Sequence, residues 1–233
     1  MCWHRSCAVS ALRQVKKNRK RGISLVEVIV VMAIVSALLL MGAVLFSGVG
    51  KSEGREAVRS LLLAGLNNAQ TRALSSGEPV ALVMTPYEEG REGQLGRSFT
   101  LFEVTMDEVT GDFVAGRQLR RWSVLPGRFI FSKGGTVSDA GQNAFDQSPV
   151  VNVSILEEKS EGRRAIDMPA IVFGATGNVV WPQGEGELEL HVTEGAVETG
   201  MAVGTGGELN DWRQREVFMI GRQTGRARYL QTR

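Results

Sequence analysis

The chain has 233 residues, 43% of them hydrophobic, and its 27 basic and 25 acidic side chains nearly cancel to a formal charge of +2. With only two cysteines, Cys2 and Cys7, it is not a disulfide-dense scaffold. The pI near 8.7 is no argument for nucleic-acid binding, because the positive charge is concentrated at one end.

Residues 1–22 hold Arg5, Arg13, Lys16, Lys17, Arg19, Lys20 and Arg21 and no acid, which leaves 20 basic against 25 acidic residues after them, a net −5. From Ile23 to Phe46 runs an apolar stretch of 24 residues, interrupted only by Ser24, Glu27, Ser36 and Gly42. As a helix it is about 36 Å long, enough for a hydrocarbon core of roughly 30 Å with some tilt. The basic flank keeps its own end in the cytoplasm and sends everything after Phe46 across the membrane.

Glu27 is the odd residue of this run. An ionised carboxylate near the bilayer centre costs roughly 2.5–3.5 kcal/mol on insertion scales, so it marks a functional position. Here it sits near one end, within reach of a partner cation. A secretory signal peptide is the obvious competitor, but its apolar core is about 7–15 residues long and ends in small residues. Phe46-Ser47-Gly48-Val49-Gly50 is a poor match to such an exit. A plain anchor helix leaves Glu27 unexplained.

The stretch Arg21-Gly22-Ile23-Ser24-Leu25-Val26-Glu27 resembles the N-terminus of type IV prepilins and type II secretion pseudopilins. The resemblance implies that 1–22 is a basic leader removed by a prepilin peptidase between Gly22 and Ile23, that Ile23 is then N-methylated, and that Glu27 is the fifth residue of the mature helix. The family more often has Phe after the glycine than Ile. In a filament the carboxylate of a neighbour's Glu27 would neutralise the cationic amine of Ile23, a polar pair that fixes register inside an apolar bundle. The implied partners are prepilin peptidase, other pilins or pseudopilins through the N-terminal helix, and an inner-membrane assembly platform. The implied location is a single pass of the bacterial inner membrane, N-terminus cytoplasmic and C-terminal domain periplasmic, and then the pilus or pseudopilus. The mature chain would hold no thiol, since both cysteines lie in the leader.

Segment 23–47 is thus expected to be the transmembrane and assembly helix, and 48–76 its amphipathic continuation. Gly48, Gly50 and Gly54 suggest a frayed or kinked joint between them. Val58, Leu61, Leu62, Gly65, Leu66, Ala69 and Ala73 then form one stripe, with Glu56, Arg59, Asn67, Asn68 and Arg72 away from it. Ser75-Ser76-Gly77-Glu78-Pro79 ends the helix.

Residues 77–233 read as a β-rich periplasmic domain. Strands are expected over 80–84, 98–105, 118–124, 128–132, 150–156, 170–173, 178–181 and 188–192. Ala175-Thr176-Gly177-Asn178 reads as a hairpin turn, and 90–96, 134–141 and 195–207 as long Gly-rich loops. The expected class is α+β, a long N-terminal helix packed on an antiparallel sheet domain. This layout, Pro169–Gly177 and the closing Val217–Ile220 and Thr224–Tyr229 segments resemble the GspH/FimT-type minor pilins and pseudopilins.

Little points to catalysis. Alternation places His191 with Glu187 and Glu189 opposite Leu188, Leu190 and Val192, which suggests a solvated strand face. Without cysteine and with His191 alone, the mature chain offers no zinc or Cys–His chemistry. Gly204-Thr205-Gly206-Gly207 lacks the Lys-Ser/Thr of a phosphate loop, and 139–146 lacks calcium-loop spacing. Neither a cofactor nor a small-molecule substrate is implied.

The C-terminus carries Arg213, Arg215, Arg222, Arg226, Arg228 and Arg233 against Glu216, a local excess of positive charge on an acidic chain. Likeness to FimT-type pilins makes Arg226 and Arg228 candidates for DNA contact. The plainer alternatives are edge-strand charges that discourage pairing, or partners of acidic loops.

Overall fold

The computed structural model describes residues 25–88, 93–146, 151–156, 163–198, 200–204 and 215–230, with the side chains of 37–52, 152–156, 163–165, 201, 202 and 204 left out. Helix α1 runs Leu25–Ser76, and Gly48, Gly50 and Gly54, where a frayed or kinked joint is expected, lie within it. The chain divides into two compact units, 1–49 and 50–233.

In the larger unit the second stretch of α1 buries Val58, Leu62, Leu66, Ala69 and Ala73 completely. One glycine of this stretch serves packing. A Cβ on Gly65 would lie 2.7 Å from the ring of buried Phe99, so the missing side chain lets the helix backbone approach the sheet there. The helix stops as expected. Gly77 takes φ +71° and its N–H returns to the Ala73 carbonyl at 3.0 Å, the left-handed C-terminal cap that glycine adopts without strain.

The strands are β1 (Val80–Met84), β2 (Ser98–Met106), β3 (Phe113–Gln118), β4 (Ser123–Val124), β5 (Phe129–Phe131), β6 (Gln142–Asn143), β7 (Val151–Leu156), β8 (Arg163–Met168), β9 (Ala170–Phe173), β10 (Val179–Trp181), β11 (Leu188–Glu198), β12 (Met201–Gly204), β13 (Glu216–Ile220) and β14 (Ala227–Leu230). One sheet has the order β10-β9-β1-β2-β3-β7-β8, with β4 beside β2, and the other the order β12-β11-β13-β14, with β5 and β6 beside β11. All pairs are antiparallel except β3–β7 and β6–β11.

The first sheet curls. Met168 ends the outermost strand β8, yet Ala170 begins β9, on the far side of β1. Only Pro169 intervenes, and its carbonyl accepts the Met84 N–H at 2.8 Å. Strands β1 and β9 therefore face two cores. Val80, Leu82, Met84, Ile171 and Phe173 pack with the helix and the second sheet. Ala81, Val83, Ala170 and Val172 join Phe102, Val104, Phe113, Val151, Ile166 and Met168 in the other. A strand buried on both faces reads as a continuous apolar run, which is what Val80–Met84 shows.

Several expectations are corrected. The run 118–124 is not one strand: β3 ends at Gln118 and β4 begins at Ser123. Residues 195–204 are not a loop, because β11 continues to Glu198 and returns as β12. Gly195 sits in that hairpin because a Cβ would lie 2.6 Å from the Val203 carbonyl. The Gly-rich segment 134–141 leads directly into β6, which pairs with β11. The turn Ala175–Asn178 does join β9 and β10, with Gly177 at φ +78°.

Candidate functional site

Gly22 and Ile23 lie outside the described residues. Glu27 is described, in the first turn of α1, where a carboxylate is favoured by the helix dipole. Leu25, Val26 and Val28 around it and Ile29, Val30, Val31, Met32, Ile34 and Val35 beyond it are all exposed, Leu25 by 78%. This apolar surface is covered by nothing among the described residues. No described helix is long and apolar enough to cross a membrane. The side chains of 37–52, which include the second half of the apolar run, are outside the description.

In the larger unit several charges are answered internally. Arg59 lies off the buried stripe of α1, and its Nε and Nη2 donate to the two oxygens of Glu216 at 2.8 and 3.3 Å. Arg55, one turn earlier, donates from Nη2 to Glu194 at 3.1 Å and lies 3.6 Å from Glu216. Helical spacing of four residues aims both guanidinium groups at neighbouring strands, β11 and β13. Glu216 is only 2% exposed. Tyr229 completes the clamp: the Arg59 guanidinium stacks over its ring at 4.2 Å. Burial, followed by the hydrogen bond to Glu216, pushes the Tyr229 phenol up to about 12, so it keeps its proton. The Glu216 hydrogen bond likewise holds the Arg59 guanidinium above its usual range.

His191 corrects the sequence reading most sharply. It is not solvated: His191 and Glu189 are both fully buried. Alternation did put them on one face of β11, but segment 132–146 roofs that face. Glu189 accepts the Val137 and Ser138 N–H groups at 2.8 and 2.9 Å, and His191 Nε2 lies 2.7 Å from Glu189 Oε2. Arg215 Nη1 reaches His191 Nδ1 at 3.3 Å. The signal available in the sequence was Glu-x-His on one strand face; what it lacked was any sign that the face is covered.

The C-terminal arginines do not form one free patch. Arg213 and Arg233 lie outside the described residues. Arg215 is buried, and Arg222 donates to the carbonyls of Gly186 and Pro182 and to Gln142 Oε1. Arg228 pairs with Glu187 at 2.8 Å. Arg226 is exposed, just ahead of β14. A groove of about 400 Å³ at one end of the curled sheet is lined by Pro79, Met106, Phe113, Val180 and the β9–β10 turn, and holds no titratable side chain.

The profile of the prokaryotic N-terminal methylation motif matches residues 17–43, which include Gly22, Ile23 and Glu27. No curated protein sequence matches the chain. Among solved structures, the type IV minor pilin FimU of Pseudomonas aeruginosa is similar, with 15% identity and a TM-score of 0.39 over 78% of this chain and 91% of that one. The chain thus joins a prokaryotic N-terminal methylation motif over residues 17–43 to an α+β fold, one long helix followed by a largely antiparallel sheet domain.

Proposed function

We propose that the protein is a minor pilin or pseudopilin, cut by a prepilin peptidase between Gly22 and Ile23, N-methylated at Ile23, and assembled through its N-terminal helix into a type IV pilus or type II secretion pseudopilus. The observation that carries this is the methylation motif over 17–43. Glu27 and the uncovered apolar side chains of 25–35 support it, since such a surface is completed by neighbouring helices. On this reading the protein is held in the inner membrane, faces the periplasm with its sheet domain, and meets the peptidase, the assembly platform and other pilins in turn.

N-terminal sequencing and intact mass of the protein from cells with and without prepilin peptidase test it. A chain beginning at N-methylated Ile23, with the leader retained when the peptidase is absent, is the expected result. A chain that keeps 1–22 in both strains would reduce Glu27 to a residue of a plain anchor. The minor over the major role rests on the absence of cysteine after residue 22 and on sequence likeness to GspH/FimT-type subunits.

DNA contact by Arg226 and Arg228 is the weaker reading. Arg228 already has a carboxylate partner in Glu187, and Arg215 and Arg222 are committed to the fold. Salt-dependent DNA affinity lost in Arg226→Ala/Arg228→Ala would restore it.

A further inference from the structure

The segment from Ser132 to Asp146 is fastened to the outer face of β11 by a small set of polar groups. Glu189 takes the amides of Val137 and Ser138, and Gly141 lies so close to that carboxylate that a Cβ would overlap it. Asn143 donates to the carbonyls of Ser132 and Gly134 at 2.9 and 3.1 Å, and Asp146 receives the Gly134 N–H at 2.7 Å. His191 lies beneath, bridging Glu189 and Arg215. Arg215 Nη1 also donates to the Gly135 carbonyl at 3.4 Å, tying the same segment to the residue that precedes β13.

This geometry fixes the protonation of the ring. Glu189 is a carboxylate that accepts three hydrogen bonds, so His191 presents Nε2–H to it. A guanidinium can only donate, so Nδ1 must offer its lone pair to Arg215. The arrangement is a neutral imidazole between an anion and a cation. A second proton would set an Nδ1–H against an Arg215 N–H at 3.3 Å. The groups that face the ring are Glu189 from β11, Arg215 ahead of β13, and Asp146 from the roofing segment. Around them lie Tyr87, with Lys133 over its ring at 5.2 Å, and Glu88, which is 3.6 Å from Lys133.

We propose that His191 is a pH-sensitive latch: protonation of Nδ1 breaks its contact with Arg215 and releases segment 132–146 from β11, so that the exposed domain presents a different surface in acid. The direction agrees with the charge environment. Burial is the largest influence on the ring and holds its pKa below the usual 6.5, with Glu189 opposing. For a base depressed in the folded state, the unfolded or released form binds the extra proton first. The latched form is therefore fully favoured above the unperturbed value and loses ground as pH falls through the lower folded one.

The test is amide hydrogen exchange of the full chain in detergent at pH 7.5 and at pH 5.0, corrected for intrinsic rates, on wild type and His191→Gln. A glutamine can donate to Glu189 and accept from Arg215 but does not titrate. Wild type is expected to lose protection at Val137 and Ser138 by about tenfold or more in acid, while His191→Gln keeps it. Unchanged wild-type protection, or an equal loss in both proteins, would overturn the proposal, the second by transferring the effect to a carboxylate. Should the variant fail to fold, imidazole NMR of wild type decides. His191 must be the Nε2–H tautomer at neutral pH and must titrate together with the loss of protection; a different tautomer, or titration apart from it, would overturn the latch.

Discussion

Residues 25–36 and 53–76 belong to one helix, yet they handle apolar surface in opposite ways. The first stretch turns Leu25, Val28, Ile29 and Met32 outward and has one charge, Glu27, for which the chain itself supplies no described partner. The second turns Val58, Leu62 and Leu66 inward, and its cations Arg55 and Arg59 meet Glu194 and Glu216 on the sheet. Completion from inside makes a domain; on the proposed function, completion from outside makes an assembly element. Perturbations of the two stretches should therefore separate stability from assembly.

The largest loss of stability is expected at a junction of the larger unit. Gly225 has φ +62°, and a Cβ there would overlap the Gly177 carbonyl in the opposing turn. Gln70 of α1 donates to Thr224 beside it. Gly225→Ala combines left-handed strain with overpacking, each of about 1–3 kcal/mol, and should lower the urea midpoint accordingly or prevent folding. A variant of unchanged stability would mean that the two turns do not meet. Next comes Leu66→Ala, expected to cost about 2–5 kcal/mol by emptying a fully buried site. The matching change in the first stretch, Val30→Ala, should stay within about 0.5 kcal/mol, because Val30 is half exposed. Equal losses from the two would erase the contrast.

Glu216→Gln tests the clamp. It removes the charge that Arg59 grips with two hydrogen bonds, while Arg59 retains some exposure to water. The expected cost is about 2 kcal/mol, between an exposed and a fully buried pair. A double-mutant cycle with Arg59→Met should show most of that cost as coupling. Additive effects would make Glu216 a packing residue only.

These contrasts also explain what could be read in advance. Strands β1 and β9 have the bounds expected from their apolar runs, and the helix stripe and its Gly77 stop are where periodicity puts them. Those signals are local. The curl of the first sheet is not local: it follows from Met168-Pro169-Ala170 carrying the chain from the outermost strand to an inner one. Phe113, which opens β3, follows a turn rich in Asp and Gly that hid the strand start. Gly195 looked like loop chemistry and is a close-approach glycine inside a strand. His191 and Glu189 were placed on the correct face, but burial of that face depends on a segment some 50 residues earlier in sequence. The partner of Arg59 was hidden for the same reason, since Glu216 lies 157 residues away.

The smallest effect on stability is expected where the effect on assembly is largest. Glu27→Val replaces the lone charge of an uncovered apolar stretch, so unfolding of the sheet domain should move by no more than about 0.5 kcal/mol. If the carboxylate meets the amine of a neighbouring subunit, the same variant should insert, lose its leader normally, and yet be absent from sheared filament fractions. A buried ion pair contributes to register more than to stability, because the cost of desolvating both charges offsets much of their attraction. Glu27→Asp, which keeps the charge on a shorter stem, should then recover part of the incorporation. Normal incorporation of Glu27→Val would show that apolar packing alone selects the subunit. Glu27 would then be a tolerated charge at a helix end, and the two stretches of α1 would differ only in which solvent covers them.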